Sequence, residues 1–240
     1  MKSLCVIGFR QMALLLAVVG LFSSVCFAQS SVVFVPSTDT QDRRSFYLSL
    51  ESYAHFAKYE NGGFQSYGPS VVYGVAKNLE VGLNYYFTHD ESGSANELQP
   101  NIKWRPYNNE EKGVAVAVGS LLFVPLNDNA GDRTSAMIYA NASKSFKSAK
   151  ELRLTGGIYR QVNGGDDFGT KTGILLAVEQ PLTEKFSLLA DWTTGENRLG
   201  YSNIGFNYGI KKSQNLTVAY TFGNSGRGNN YLSLFYGYNF

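Results

Sequence analysis

The chain has 240 residues, 17% of them charged, with 21 basic against 19 acidic side chains and a formal net charge of +2. So near a balance excludes a nucleic-acid binder and a polybasic membrane-surface protein, both of which need a basic excess. Two cysteines and two histidines support neither a disulfide framework nor a metal-ligand cluster, and no cofactor motif is present.

Residues 1–28 read as a secretory signal peptide. Lys2 and Arg10 form a basic start, Met12 to Phe22 a short apolar stretch, and Cys26-Phe27-Ala28 a small-x-small cleavage site. The apolar stretch is short for a bilayer span. A lipoprotein reading at Cys26 is weakened by Val25 before it. Cys5 and Cys26 both leave with the signal, and the basic residues less Lys2 and Arg10 equal the 19 acidic ones. Residues 29–44 are polar and irregular and are expected to form an N-terminal periplasmic extension. From residue 45 the chain breaks into segments of about ten alternating residues separated by turn signals.

Side chains alternate across a strand, so each segment has two faces. The first, Phe46 to Tyr59, sets Phe46, Leu48, Leu50 and Phe56 against Tyr47, Ser49, Glu51 and His55, and turns at Asn61-Gly62-Gly63. The second, Phe64 to Ala76, ends on Val71, Tyr73 and Val75. After Lys77-Asn78 the third opposes Leu79, Val81, Leu83, Tyr85 and Phe87 to Glu80, Gly82, Asn84, Tyr86 and Thr88. A polar loop is expected over Asp90 to Asn96. The fourth carries Leu98, Ile102 and Trp104 against Gln99, Asn101, Lys103 and Arg105. The fifth, Gly113 to Leu126, sets Val114, Val116 and Val118 against small residues. In the sixth, Arg133 to Phe146, Lys144 lies on the weak apolar face and is explained by snorkelling to an interface. The seventh has Leu152, Leu154 and Ile158 against Arg153, Thr155, Tyr159 and Gln161. A glycine-rich loop with Asp166 and Asp167 follows. The eighth has Ile174, Leu176 and Val178 against Gly173, Leu175, Ala177 and Glu179; the ninth has Phe186, Leu188, Ala190 and Trp192 against Ser187, Leu189 and Asp191. The tenth and eleventh repeat the pattern around Ile204, Phe206, Tyr208 and around Leu216, Val218, Tyr220, Phe222.

The last segment, Tyr231 to Phe240, places Leu232, Leu234, Tyr236, Tyr238 and Phe240 on one face. It resembles the closing strand of bacterial outer-membrane β-barrels. That resemblance implies that Leu234, Tyr236, Tyr238 and Phe240 serve as the signal read by the barrel-assembly machinery. The alternative, an edge strand of a soluble sheet, would be an aggregation hazard with no gatekeeper charge. Twelve segments joined by hairpins form an even number, which puts both termini on one side. Outward aromatic residues then collect at two levels. Phe46, Tyr73, Trp104, Phe146, Phe186, Tyr208, Tyr238 and Phe240 lie at one end, and Phe56, Phe87, Trp192 and Phe222 at the other. Aliphatic residues fill the band between, as a bilayer requires and a soluble sandwich does not. The expected fold is all-β: residues 45–240 as an up-and-down antiparallel transmembrane barrel in the outer membrane of a Gram-negative cell, with lipid as its partner and no nucleic acid.

The inward set is polar or small. Twelve strands stand between a filled eight-stranded barrel and a sixteen-stranded aqueous channel, and the many inward Gly and Ala residues favour a narrow pore. The pore-lining candidates are Glu51, His55, Glu80, Lys103, Arg105, Arg153, Glu179 and Asp191. Hairpin register pairs Glu80 with Arg105 and Arg153 with Glu179, and leaves Lys103, Glu51 and Asp191 with no adjacent partner. These charges either brace the wall or select solutes by charge. Both signs occur, without the arginine-rich track expected for acidic oligosaccharides.

A catalytic role finds little support. No Gly-x-Ser-x-Gly elbow occurs. His55 and His89 have no evident serine partner of the outer-membrane phospholipase kind. His89-Asp90 and Asp166-Asp167 would sit at the outer rim, where omptin proteases carry their pairs, but consecutive residues on a strand face opposite ways. Two hairpins resemble a transporter family. Tyr73-Gly74-Val75-Ala76-Lys77-Asn78-Leu79-Glu80-Val81-Gly82-Leu83, and Val178-Glu179-Gln180-Pro181-Leu182 leading to Leu189-Ala190-Asp191-Trp192, are similar to the outer-membrane transporters named for the MetA pathway of phenol degradation. The resemblance implies uptake of a small solute, aromatic or otherwise, and supplies no functional residues. The expected function is passive passage of small solutes, with a closed structural or adhesive barrel as the alternative and a barrel enzyme as the third reading.

Overall fold

The computed structural model describes residues 30–165, 168–225 and 229–240. The expected signal peptide, residues 1–28, and the Asp166-Asp167 pair lie outside the described residues. Twelve strands make up the barrel: β1 Phe46–His55, β2 Phe64–Ala76, β3 Leu79–Asp90, β4 Gly93–Asn109, β5 Val114–Pro125, β6 Ser135–Phe146, β7 Leu152–Val162, β8 Thr172–Pro181, β9 Phe186–Thr193, β10 Tyr201–Lys211, β11 Gln214–Gly223 and β12 Tyr231–Asn239. Each pairs antiparallel with its sequence neighbours, and β1 pairs with β12 to close the sheet. Closure satisfies every edge, which is what allows a sheet to stand in hydrocarbon. At the seam Phe46 and Phe240 exchange backbone hydrogen bonds of 2.7 and 3.0 Å, and their rings stack at 5.6 Å.

The alternation in the sequence becomes the two faces of the wall. Leu48, Leu50, Leu83, Ile102, Ile138, Leu154, Ile158, Leu176, Ile204 and Leu234 are all exposed on the outside. A soluble monomer does not present a continuous apolar belt of this kind; a lipid-facing wall must. The aromatic residues expected at the two levels are exposed as well, except Tyr73 and Phe186, which are half-buried against Phe46 at 4.5 Å and Phe206 at 5.3 Å. Strand β6 is regular despite its weak apolar face. Lys144 reaches the Lys112 carbonyl and lies 5.7 Å over the Phe146 ring, the geometry of a chain bent toward an interface.

Two boundaries differ from expectation. Strand β1 ends at His55 and gives way to a 3-10 turn over Tyr59–Asn61. The loop expected over Asp90 to Asn96 is a two-residue turn, because Asp90 pairs directly with Gly93. The Asp90 carboxylate accepts the Ser92 N–H at 2.8 Å and the Ser92 hydroxyl at 2.6 Å, which closes the turn on itself. The polar residues after it continue the strand: Tyr85 on the outer face donates to the Asn96 side chain at 2.6 Å.

The wall is thin at its inward glycines. A Cβ at Gly237 would meet the Tyr47 hydroxyl, and one at Gly119 would meet that of Tyr139. Both tyrosines are buried and lie along the wall in the space the glycines leave.

The segment before β1, expected as an extension, is instead folded into the barrel. Val32, Val33 and Val35 are 0–2% exposed and form the luminal core with Phe123, Met137, Tyr139, Leu175, Leu189 and Phe235. The cause is the run Val32-Val33-Phe34-Val35, too apolar to stay in water when inward Leu175, Leu189 and Phe235 offer it a partner. Residues 30–37 double back on themselves, with Val32 N–H on the Val35 carbonyl at 2.9 Å and Ser37 N–H on the Ser30 carbonyl at 3.1 Å. The chain then leaves along β2, where Arg44 N–H reaches the Gly74 carbonyl at 2.7 Å.

Candidate functional site

The lumen is organised around three sets of charged wall groups that grip the inserted segment: Asp191, the Glu80–Lys103 pair and Arg153. Asp191, inward on β9, is 5% exposed. One of its oxygens accepts the backbone N–H groups of Val33, Phe34 and Val35 at 2.8, 2.8 and 2.9 Å, and the other accepts the Asn203 amide at 2.6 Å. Successive N–H groups converging on one point form an anion nest; here the anion belongs to the wall and the nest to the segment. Glu80 and Lys103, inward on β3 and β4, are 1% and 2% exposed and pair at 3.0 Å. Glu80 also accepts the Ser30 hydroxyl at 2.5 Å and the Gln41 N–H at 2.6 Å, while Lys103 donates to the Ser30 carbonyl at 2.8 Å.

The third grip is Arg153 on β7. It faces Glu179 in register, donates to both its oxygens at 2.5 and 2.9 Å, and donates to Asp39 of the segment at 2.5 Å. Arg105 approaches the same Asp39 at 3.8 Å. Asn141 donates to the Pro36 carbonyl at 2.5 Å, and Thr38 and Ser143 share a hydrogen bond of 2.6 Å. The segment is thus tied to β3, β4, β6, β7 and β9.

The expected pair Arg153–Glu179 is present. The expected pair of Glu80 with Arg105 is not: Glu80 faces Lys103. The tighter β3–β4 turn moves the register by two residues and hands Arg105 to Asp39 and the Asn78 side chain. Lys103 therefore has a cross-strand partner in Glu80, while Asp191 takes most of its partners from the inserted segment, which the strands alone do not reveal. His55 stays near the rim with its ring 6.4 Å from Phe64, and its Nδ1 has no hydrogen-bond partner among the described residues. His89 does meet a serine: its Nδ1 lies 3.0 Å from Ser94 Oγ across the β3–β4 turn, a pairing hidden while that stretch is read as a loop. Among the described residues no hydrogen bond holds its other nitrogen; the Tyr59 ring meets it edge-on at 5.1 Å.

Beside the segment lies a chamber of about 530 Å³. Its walls include Glu51, Tyr53, Phe64, Tyr86, Tyr231 and Phe235, with Phe34 of the segment as floor, and it extends to Asn129 in the β5–β6 connection. Arg198, from the β9–β10 connection, reaches across to Glu97 with bonds of 2.8 and 2.9 Å and lies 4.6 Å over the Phe123 ring. Among the described residues no group of three or more potential metal ligands converges.

No protein-family model matches the sequence, and no curated protein matches it. The fold does have likenesses among solved structures. The KdgM porin superposes with a TM-score of 0.60 at 7% identity, over 81% of this chain and 99% of its own. An outer membrane channel from Pseudomonas putida F1 gives 0.55 at 14% identity, over 84% and 97%. An active-site variant of outer membrane phospholipase A from Escherichia coli gives 0.50 at 14% identity, over 89% and 98%. At such identities the likeness shows the fold alone, and that fold is the closed antiparallel barrel of bacterial outer-membrane proteins.

Proposed function

We propose that the protein is an outer-membrane channel that passes small solutes passively, with residues 30–41 as its restriction and Glu51, His55, Glu80, Lys103, Arg105, Arg153, Glu179 and Asp191 along its path. The observation that carries this reading is the wall itself: apolar outside, hydrogen-bonding inside, with a chamber of about 530 Å³ above the inserted segment. A filled structural barrel has no need of such a space. The resemblance of two hairpins to the phenol-degradation transporters agrees with a small solute. The KdgM porin has been solved with oligogalacturonate, but the luminal cations here, Lys103, Arg105, Arg153 and Arg198, are all committed to carboxylates. An acidic oligosaccharide would have to displace them, so it is not the solute class this lumen suits.

The proposal includes residues 1–28 as a cleaved signal, residues 45–240 as the barrel, and the C-terminal strand with Leu234, Tyr236, Tyr238 and Phe240 as the segment read during assembly. N-terminal sequencing of the membrane-extracted protein should begin at Gln29. Single-channel recording in planar bilayers tests the channel: discrete open steps are expected. One observation favours the second reading, a closed structural barrel: the close packing of Val32, Val33 and Val35 in the lumen. Silence in the wild type and in variants that release the segment would establish that reading instead.

A further inference from the structure

We infer that the chamber is a binding site for an organic ammonium ion, seated against a cluster of aromatic rings with its charge toward Glu51. The inference rests on solute reaching the lumen, as proposed above, and names the class of solute.

Glu51 projects inward from the middle of β1, opposite Phe235 on one side and Gly68 on the other. Tyr53 and Tyr86 both donate their hydroxyls to its Oε2, Tyr86 at 2.6 Å, and Ser49 donates to Oε1 at 3.2 Å. All three donors are neutral. Among the described residues no lysine, arginine or histidine forms an ion pair with Glu51, whereas Asp39, Glu80, Glu97 and Glu179 each have a basic partner and Asp191 has three backbone N–H groups. Asp191 too has only neutral donors, but it is covered by the inserted segment and does not line the chamber. Of the carboxylates among the described residues that do line it, Glu97 is paired with Arg198, so Glu51 is the one whose charge is left for a ligand to balance. An unbalanced charge away from bulk water is costly, and an arriving cation recovers that cost.

The rings around it suit the same ligand. Tyr53 packs on Phe235 at 5.5 Å, Phe34 at 5.7 Å, Tyr86 at 5.8 Å and Tyr231 at 6.0 Å, and this ring cluster lines the chamber, where a cation would lie on its exposed surface. A cation within about 6 Å of ring centroids is held by their quadrupoles, most strongly when desolvated. Phe34 comes from the inserted segment, so the site is complete only with that segment in place. An anion would meet Glu51 and ring faces of the same sign. A neutral apolar solute would use the rings and leave Glu51 unbalanced.

Choline and its neutral carbon isostere, 3,3-dimethyl-1-butanol, separate these cases on the folded protein in detergent by titration calorimetry. Choline is expected to bind at least ten-fold tighter than the isostere. Glu51→Gln, which keeps the shape and an acceptor for both tyrosines, is expected to weaken choline at least ten-fold while heat-modifiable migration is unchanged. Equal affinities for the two probes, or no binding of either, would overturn the inference, as would full affinity in folded Glu51→Gln. Should that variant fail to fold, the two probes on wild type decide alone. Binding is read without conduction, so a silent channel that still prefers choline would sink only the transport reading.

Discussion

Asp191→Ala should release the tip of the inserted segment without unfolding the barrel. The side chain accepts three backbone N–H groups of the segment on one oxygen. Hydrogen bonds to a charged acceptor contribute about 1.5–3 kcal/mol each, but three on a single oxygen are not additive. A loss on the order of 3–5 kcal/mol is a fair figure, since removal also strands three donors in a dry site. At about 1.4 kcal/mol per factor of ten, the displaced population should rise roughly a hundred-fold to a few thousand-fold. The grips on Asp39 and Gln41 survive, so the loop over Val32 to Val35 should swing out while residues 38–41 stay. Open probability in planar bilayers should climb, and protease should begin to cut between Ser30 and Pro36. Asp191→Asn, which keeps one acceptor without the charge, should fall between. A folded Asp191→Ala protein with wild-type open probability and an uncut segment would refute the assignment of Asp191 as the latch.

Four further outcomes follow from the same geometry. Lys103→Met should destabilise the folded state by about 3–5 kcal/mol, because Glu80 is left buried and unpaired, and Glu80→Gln added to it should restore most of the loss in urea titrations followed by gel migration. Leu83→Arg should be far more damaging than Asn84→Arg, since Leu83 is exposed on the lipid face and charge there costs about 2–4 kcal/mol at the midplane; equal outer-membrane yields would contradict the assigned faces. Phe240→Lys should lower outer-membrane yield, because it breaks the stack with Phe46 that finishes the seam; wild-type yield would show that the seam closes without it. Arg153→Gln should move the reversal potential toward cations and Glu179→Gln toward anions, with conductance retained; an unmoved reversal potential in folded variants would make the pair a brace of the wall and not a filter.

The outer face was legible residue by residue, because lipid enforces a period of two on every strand. Leu83, Ile174, Leu176 and Val178 lie outside as their alternation requires. Register was legible only where the turn was. Arg153 meets Glu179, whereas Glu80 meets Lys103, since the Asx-type turn at Asp90 looks like a loop until its hydrogen bonds are seen. The interior was the least legible part. Inward Leu175 and Leu189 were out of keeping with a wet pore, and the run Val32 to Val35 was out of keeping with a polar extension. Each anomaly answers the other, but the pairing joins residues more than a hundred positions apart, and alternation within a strand carries no such information. Besides Asn203 across the strand pair, the partners of Asp191 are backbone N–H groups, which side-chain identity cannot announce.

The tyrosines lying over Gly119 and Gly237 bear on how such a barrel could change its calibre over evolution. Strand number and tilt fix the radius of the backbone cylinder, and altering either means adding or removing a hairpin. The free bore is set separately, by whether a ring has a groove in the wall to rest in. Gly237→Ala, whose added Cβ meets side-chain atoms of Tyr47 and Asn215 and no backbone, would evict the Tyr47 ring from its recess and push it toward the axis. The inverse exchange, a glycine for a larger inward residue beside a tyrosine, would draw a ring back and widen the bore. Aperture can therefore drift by single codons while the hydrogen-bonded cylinder stays the same, which lets one scaffold enclose lumens of different width.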